Sequence, residues 1–261
     1  MSEQTALHIE RADAVATVWL ARPQVRNAFN DVMVAELTAC FEQLATDAHV
    51  RVIILAARGP AFCAGADLAW MQRMSRFSEA ENLADARALA RMLHTLYTCP
   101  KPVIARVHGD AYAGGLGLVA ASDVAVAADA ARFCLSEVKL GLIAATIAPY
   151  VVRAMGERQA RRYVLSAEVF DASAAQRIGL VHSAVAPEAL DAEVSRIAQA
   201  FLAASPAAIA SAKSLLREIA QRPIDEALIE LTATRIAQAR ASADGQEGIA
   251  AFLEKRQPGW V

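Results

Sequence analysis

The chain has 261 residues, 56% of them apolar and 21% charged, with a formal net charge of −2. That length supplies one large domain, or a domain with a smaller appendage, and ample material for a buried core. The balance of 26 basic and 28 acidic residues argues against a nucleic-acid groove or an anionic membrane surface as partner, and no apolar run approaches the roughly 20 residues of a spanning helix.

In chain order, Ala6–Ile9 and Val15–Leu20 read as two short strands around a charged turn at Glu10–Asp13. Val32–Leu44 carries Val34, Leu37, Phe41 and Leu44 at helical spacing. Val50–Ala56 is a continuous β-branched run, the signature of a strand buried on both faces. Ser78–Thr98 is helical again, with Cys99-Pro100 as its stop. Val103–Val107 repeats the buried-strand pattern, Ala111–Ala121 reads as a glycine-rich helix and Asp123–Ala127 as a further strand. Beyond Gly141 helices dominate: Ala148–Met155, Glu157–Leu165, Ala172–Arg177, Pro187–Ala203, Pro206–Ala220 and Ile224–Ala241. The pattern predicts an α/β core over residues 1–195 and a helical region over 196–261. The opening MSEQTALHIERAD has no basic segment followed by an apolar one, so no secretory leader is expected. Cys40, Cys63, Cys99 and Cys134 lie far apart without a CxxC and read as reduced residues in or near the core of a cytoplasmic protein.

Two segments rich in small residues follow the buried strands: Phe62–Leu68 (FCAGADL) and Gly109–Gly117 (GDAYAGGLG). Small residues let backbone N–H groups approach a ligand, and two such loops facing one another can aim two donors at one oxygen. Each loop alone reads more readily as a tight turn or close helix packing, since isolated glycines are common turn residues. Gly109, Gly114, Gly115 and Gly117 do not form G-x-G-x-x-G and no Walker lysine follows, which removes the dinucleotide and P-loop readings. There is no G-x-S-x-G, and the five histidines are isolated from one another, so neither a serine hydrolase nor a metal site is expected.

Taken together, FCAGADL, Pro102–Gly109 (PVIARVHG), Gly114–Gly117 and Ala131–Gly141 (ARFCLSEVKLG) resemble, in order and spacing, the enoyl-CoA hydratase/isomerase or crotonase superfamily. The resemblance runs from about Leu7 to Phe252–Arg256. Within the family, GADLAWMQRM at Gly65–Met74 and LSEVKLGLI at Leu135–Ile143 are most similar to bacterial methylglutaconyl-CoA hydratases. It implies an α/β spiral of ββα units with a helical C-terminal trimerisation region. It also implies an acyl-CoA substrate with no separate cofactor, since coenzyme A is part of that substrate, and a homotrimer or dimer of trimers. By the same resemblance the Ala66 and Gly114 N–H groups hold the thioester oxygen and Glu137 is the catalytic carboxylate. Ala64, Asp67 and Leu68 line the CoA nucleotide, with Asp67 also an N-cap. Arg26, alongside Arg22, approaches the CoA phosphates, and Phe252 and Lys255 reach a neighbouring subunit's CoA.

Glu137, beside Val138, Leu140, Leu142 and Ile143, would be partly desolvated and raised towards a useful acid–base range; the alternative is a surface Glu paired with Lys139. The chain departs from the common hydratase pattern at Gly117, where a second glutamate stands in relatives, and at Ala144-Ala145-Thr146, where many have a Pro-Gly-rich turn. A single carboxylate suits a double-bond isomerase by chemistry, whereas the subgroup resemblance favours a hydratase of branched or carboxylated enoyl-CoA. A non-catalytic acyl-CoA-binding relative is the third reading. For a carboxylated chain Arg87, Arg91 and Arg132 are candidate cations by position.

Overall fold

The computed structural model describes residues 5–261. Strands β1 (Leu7–Ala12) and β2 (Val15–Leu20) form an antiparallel pair that registers Leu7 with Leu20. Helix α1 (Asp31–Thr46) is capped by Asn30, whose side chain accepts the Met33 N–H at 2.9 Å, and turns Met33, Leu37, Phe41 and Leu44 inward. Then come β3 (Val52–Ala57), α2 (Leu68–Met74), α3 (Glu79–Thr98) and β4 (Val103–Val107). A capping box of Ser78 and Glu81 starts α3.

The middle of the chain contributes β5 (Ala111–Tyr112), α4 (Gly114–Ala121), β6 (Val124–Ala128) and β7 (Arg132–Cys134). After a single 3₁₀ turn, Glu137–Leu140, follow α5 (Ala148–Ser166), β8 (Phe170–Asp171), α6 (Ala172–Arg177) and β9 (Ser183–Val185). The chain closes with α7 (Leu190–Leu202), α8 (Pro206–Ile219), α9 (Glu226–Ala241) and α10 (Ala243–Glu254).

The main sheet runs β1-β2-β3-β4-β6-β9, parallel from β2 onward, and a small second sheet runs β5-β7-β8. Alternation along the central strands divides the core. Ile53, Leu55, Val103, Ala105 and Val107 join the larger cluster with α1, α3 and α4. Val52, Ile104 and Val126 point the other way, onto Leu190, Val194 and Ala198 of α7. The central strands are thus buried on both faces, as their unbroken apolar runs imply.

Several elements differ from the sequence reading. Ala111–Ala121 is a two-residue strand and then a helix, because Ala111 and Tyr112 pair with Phe133 and Cys134 and Ala113 takes φ 47° before α4 begins. By contrast, the two helices expected over Ala148–Leu165 are both present within α5, which breaks at Gly156, where φ 76° and ψ 156° are not helical. Strands β7, β8 and β9 and helix α10 are additional. The division at 195/196 falls within α7, which lies against the sheet through Val194 and Ala198.

After α7 the packing thins: α8 buries no residue, α9 only Leu228 and α10 only Ala251. Polar ties fasten this region. The Arg51 guanidinium donates to the carbonyls of Leu202 (2.8 Å), Ala204 (2.7 Å) and Trp260 (2.5 Å). Lys213 bridges the Lys101 carbonyl and the Asp123 carboxylate. All four cysteines are free and buried. No helix among the described residues is long and apolar enough to cross a membrane.

Candidate active site

The 62–68 loop is pinned between two other segments. Cys63 donates to the Asp110 carbonyl (3.0 Å) and accepts from Tyr112 (2.9 Å), while Ala64 donates to the Arg26 carbonyl (3.0 Å). Phe29 brackets Ala66: its N–H donates to Gly65 O (2.6 Å) and its carbonyl accepts from Asp67 (2.8 Å). Burial pushes the Cys63 thiol up to about 12, which makes it a packed thiol with no thiolate character at neutral pH.

The second loop lies directly against the first. A β-carbon on Gly65, whose φ is +94°, would sit 3.0 Å from Ala113 Cβ, and one on Gly114 only 2.6 Å from the Phe29 ring. One on Gly115 would fall 2.5 Å from Cys63 O. These glycines therefore serve loop-to-loop approach. Ala113, at φ 47° and ψ −118°, is an uncommon conformation for a residue with a β-carbon. Its N–H donates to Cys134 O at 2.8 Å. Gly114 is the first residue of α4, where an N–H has no intrahelical acceptor and the helix end carries positive potential. Among the described residues neither the Ala66 nor the Gly114 N–H donates to another protein group. Two donors on adjoining loops are thus uncommitted.

The same β5–β7 pairing delivers the carboxylate. Cys134 lies beside Tyr112, and three residues on, Glu137 opens the 3₁₀ turn closed by Gly141 in the left-handed region. Glu137 Oε2 is buried without a hydrogen-bond partner among the described residues, and burial raises its carboxyl above the ordinary range. Glu137 makes no ion pair with Lys139 among the described residues. The expected desolvating neighbours need correcting: Leu140, Leu142 and Ile143 are 61%, 53% and 76% exposed. The burial of Glu137 comes instead from the fold around the turn, against which α5 packs.

Of the two carboxylates that flank the second loop, neither replaces the one absent at position 117. Gly117 is buried in α4, and a β-carbon there would meet Ile147 Cγ2 at 2.3 Å. Asp110 accepts from the Arg132 N–H, and Asp123 is paired with Lys213. Both are engaged in the scaffold.

With this geometry in place, the chain also matches the family model for enoyl-CoA hydratase/isomerase over residues 10–261. The chain belongs to the enoyl-CoA hydratase/isomerase family. It is similar to the solved enoyl-CoA hydratase of Shewanella pealeana, 44% identical with a TM-score of 0.95, over 98% of this chain and 96% of that one. The enoyl-CoA hydratase structure from Mycobacterium smegmatis is 36% identical with a TM-score of 0.92, covering 98% and 99%. The crotonyl-CoA hydratase of Syntrophomonas wolfei is 32% identical over 255 residues, 97% of this chain and 96% of that protein.

In this member of the enoyl-CoA hydratase/isomerase family, the residues expected along CoA separate by position. Ala64, Asp67 and Leu68 lie on the first loop. Asp67 caps α2 by accepting from Ala69 and Trp70, while Leu68 is exposed. Arg26 is exposed and contributes its carbonyl to the loop. Arg22 is committed elsewhere: it donates to Asp67 Oδ2 at 2.8 Å and to the Ala28 carbonyl. Phe252 is exposed on α10 and Lys255 is its left-handed cap, on the helix that packs with α8 and α9. Arg87 and Arg91 lie exposed on α3, and Arg132 donates to nearby carbonyls. Sequence reasoning missed Phe29 and Asn27. Buried Asn27 accepts the Arg22 N–H and donates to the Arg58 and Ala61 carbonyls, tying the first loop to the turn before it. Its signal was an Asn suited to positive φ, here 55°.

Proposed function

We propose that this protein is an enoyl-CoA hydratase that adds water across an α,β-unsaturated acyl-CoA thioester, with a branched or carboxylated acyl chain of the methylglutaconyl-CoA type used in leucine breakdown. The observation that carries the reading is the pairing of two uncommitted N–H groups, Ala66 and Gly114, with a buried, unpartnered Glu137. Hydration builds negative charge on the thioester oxygen as an enolate. Fixed donors stabilise that charge as it develops, each by about 3 kcal/mol. Glu137 takes a proton from water as its oxygen bonds to Cβ. With Asp110 and Asp123 engaged elsewhere, the same carboxyl returns that proton to Cα. In this scheme Ala64, Asp67, Leu68 and Arg26 line the CoA nucleotide and phosphates.

The branched or carboxylated chain is supported by the GADLAWMQRM and LSEVKLGLI segments and by the small Ala144-Ala145-Thr146 turn. Exposed Ile224, Ile229, Phe252 and Leu253 on and before α9 and α10 support a homotrimer or dimer of trimers, in which Phe252 and Lys255 approach a neighbour's CoA. Buried free cysteines support a cytoplasmic location. Turnover of methylglutaconyl-CoA and crotonyl-CoA with product mass resolved tests the reading. A gain of one water, lost in Glu137→Gln and faster on the carboxylated substrate, is the expected result. Gly117 favours one other reading, double-bond isomerisation by Glu137 alone. A shifted double bond without water gain would establish that reading instead, and binding without turnover would leave a non-catalytic acyl-CoA-binding protein.

A further inference from the structure

A polar cavity of about 340 Å³ opens where the C-terminal end of α4 meets α5 and α8. Its volume lies within the roughly 300–1,000 Å³ of small-ligand clefts. Its charged lining is Arg153, Lys213, Arg217 and Asp123, with His182 beside them. Lys213 and Asp123 neutralise one another in a direct ion pair. The two guanidinium groups remain: among the described residues neither Arg153 nor Arg217 has a carboxylate partner within ion-pair distance. Arg153 reaches only its own helix, at the Pro149 carbonyl. Arg217 Nη1 is buried and has no hydrogen-bond partner among the described residues. An unmet buried N–H of a cation is costly, and an oxyanion is the group that relieves it. His182 Nδ1 accepts from the Ala125 N–H at 3.1 Å, which leaves Nε2 as the protonated, donating nitrogen of the neutral ring.

We infer that this cavity binds a doubly charged oxyanion, inorganic phosphate or a small phosphate monoester, between Arg153 and Arg217. Both guanidinium-bearing residues line this one cavity, and planar N–H forks match the paired oxygens of a phosphate better than a point charge does. The site stands at the opposite end of α4 from Gly114, so it is separate from the proposed thioester position and does not depend on that function.

Isothermal titration of the full chain with inorganic phosphate and with glycerol 1-phosphate, at constant ionic strength, tests it. Arg153→Gln and Arg217→Gln are each expected to weaken phosphate about tenfold or more, and Arg161→Gln, on the exposed side of α5, to leave it unchanged. Binding of phosphate without the ester assigns the free ion; binding of both assigns the monoester class. An unchanged affinity in either cavity variant, or equal loss in Arg161→Gln, overturns the inference. A measurement on the unaltered protein guards against variants that misfold: tungstate soaked into its crystals should give an anomalous peak between Arg153 and Arg217. A cavity without that peak overturns the site.

Discussion

The Cγ2 methyl of Ile147, the residue that leads into α5, stands 2.3 Å from the point a β-carbon on Gly117 would occupy. Ile147 is 2% exposed, and Leu93 of α3 closes the other side at 3.7 Å. The place where common hydratases carry a second glutamate is therefore filled by hydrocarbon from another helix. Gly117→Ala should destabilise the fold by about 1–3 kcal/mol through overpacking. Gly117→Glu should be worse, and Ile147→Ala in the same chain should recover part of the loss. Denaturant unfolding of the two single variants and the double variant reads this coupling directly, and simple additivity would refute it.

Glu137→Gln should lower kcat/KM for hydration by about 10²–10⁴-fold. Burial raises the Glu137 carboxyl, so the acidic limb of the wild-type pH–rate profile should lie above the ordinary carboxylate range. The same shift has a stability sign. A carboxyl raised in the folded state holds its proton longer than in the unfolded chain, so its ionisation costs stability as pH rises through the folded value. Glu137→Gln removes that cost. The variant should therefore melt above wild type at pH 8, with the gap closing below the ordinary carboxylate range.

Ala66→Pro deletes one uncommitted N–H and should reduce kcat by about 10²–10³-fold. No protein acceptor is lost with it, because the loop is held by the neighbouring Gly65 carbonyl and Asp67 N–H on Phe29. Circular dichroism melts alongside single-turnover rates separate the two effects. A loss of rate matched by an equal loss of folded protein would contradict the donor role.

Arg22 and Asp67 form an ion pair at 2.8 Å with side chains 17% and 10% exposed. Burial pushes the Asp67 carboxyl up, but the Arg22 hydrogen bond and the Ala69 and Trp70 N–H groups outweigh it and hold the group below its usual value. Its contribution is thus present above the unfolded-state value and lost as pH falls through the folded one. Asp67→Ala should cost about 1 kcal/mol for the cap and more for the pair. Arg22→Ala, which strands a mostly buried carboxylate, should cost about 3 kcal/mol. Urea titrations at pH 7 and pH 3 should show the Arg22→Ala penalty shrinking at the lower pH.

Local chemistry was legible wherever one segment decides its own structure. Val103–Val107 matches the sequence reading residue for residue, because alternate side chains enter two different cores and every position is apolar or half-buried. Ser78 and Glu81 mark the start of α3 within one turn. Strand β7 was not legible: three residues, Arg132–Cys134, become a strand only through Ala111 and Tyr112, some twenty positions upstream, and Phe170 and Asp171, some forty downstream. The site followed the same division. Ala66, Gly114 and Glu137 were named through resemblance to the family, whereas Phe29 between the loops and Ile147 against Gly117 are tertiary neighbours with no local pattern.

The Arg51 clasp bears on how the molecule comes apart. Arg51 sits at the root of β3, beside a strand paired on both edges, and holds the carbonyl of Leu202, the last residue of α7, together with those of Ala204 and Trp260 beyond it. Helices α8 to α10 add almost no buried apolar surface of their own. In the single chain the residues from Ser205 onward are therefore a low-stability opening unit, attached by the Trp260 carbonyl on Arg51 and by the Lys213 contacts more than by buried apolar surface. The proposed homotrimer would then do for these helices what the sheet does for α7, coupling the stability of the C-terminal region to protein concentration.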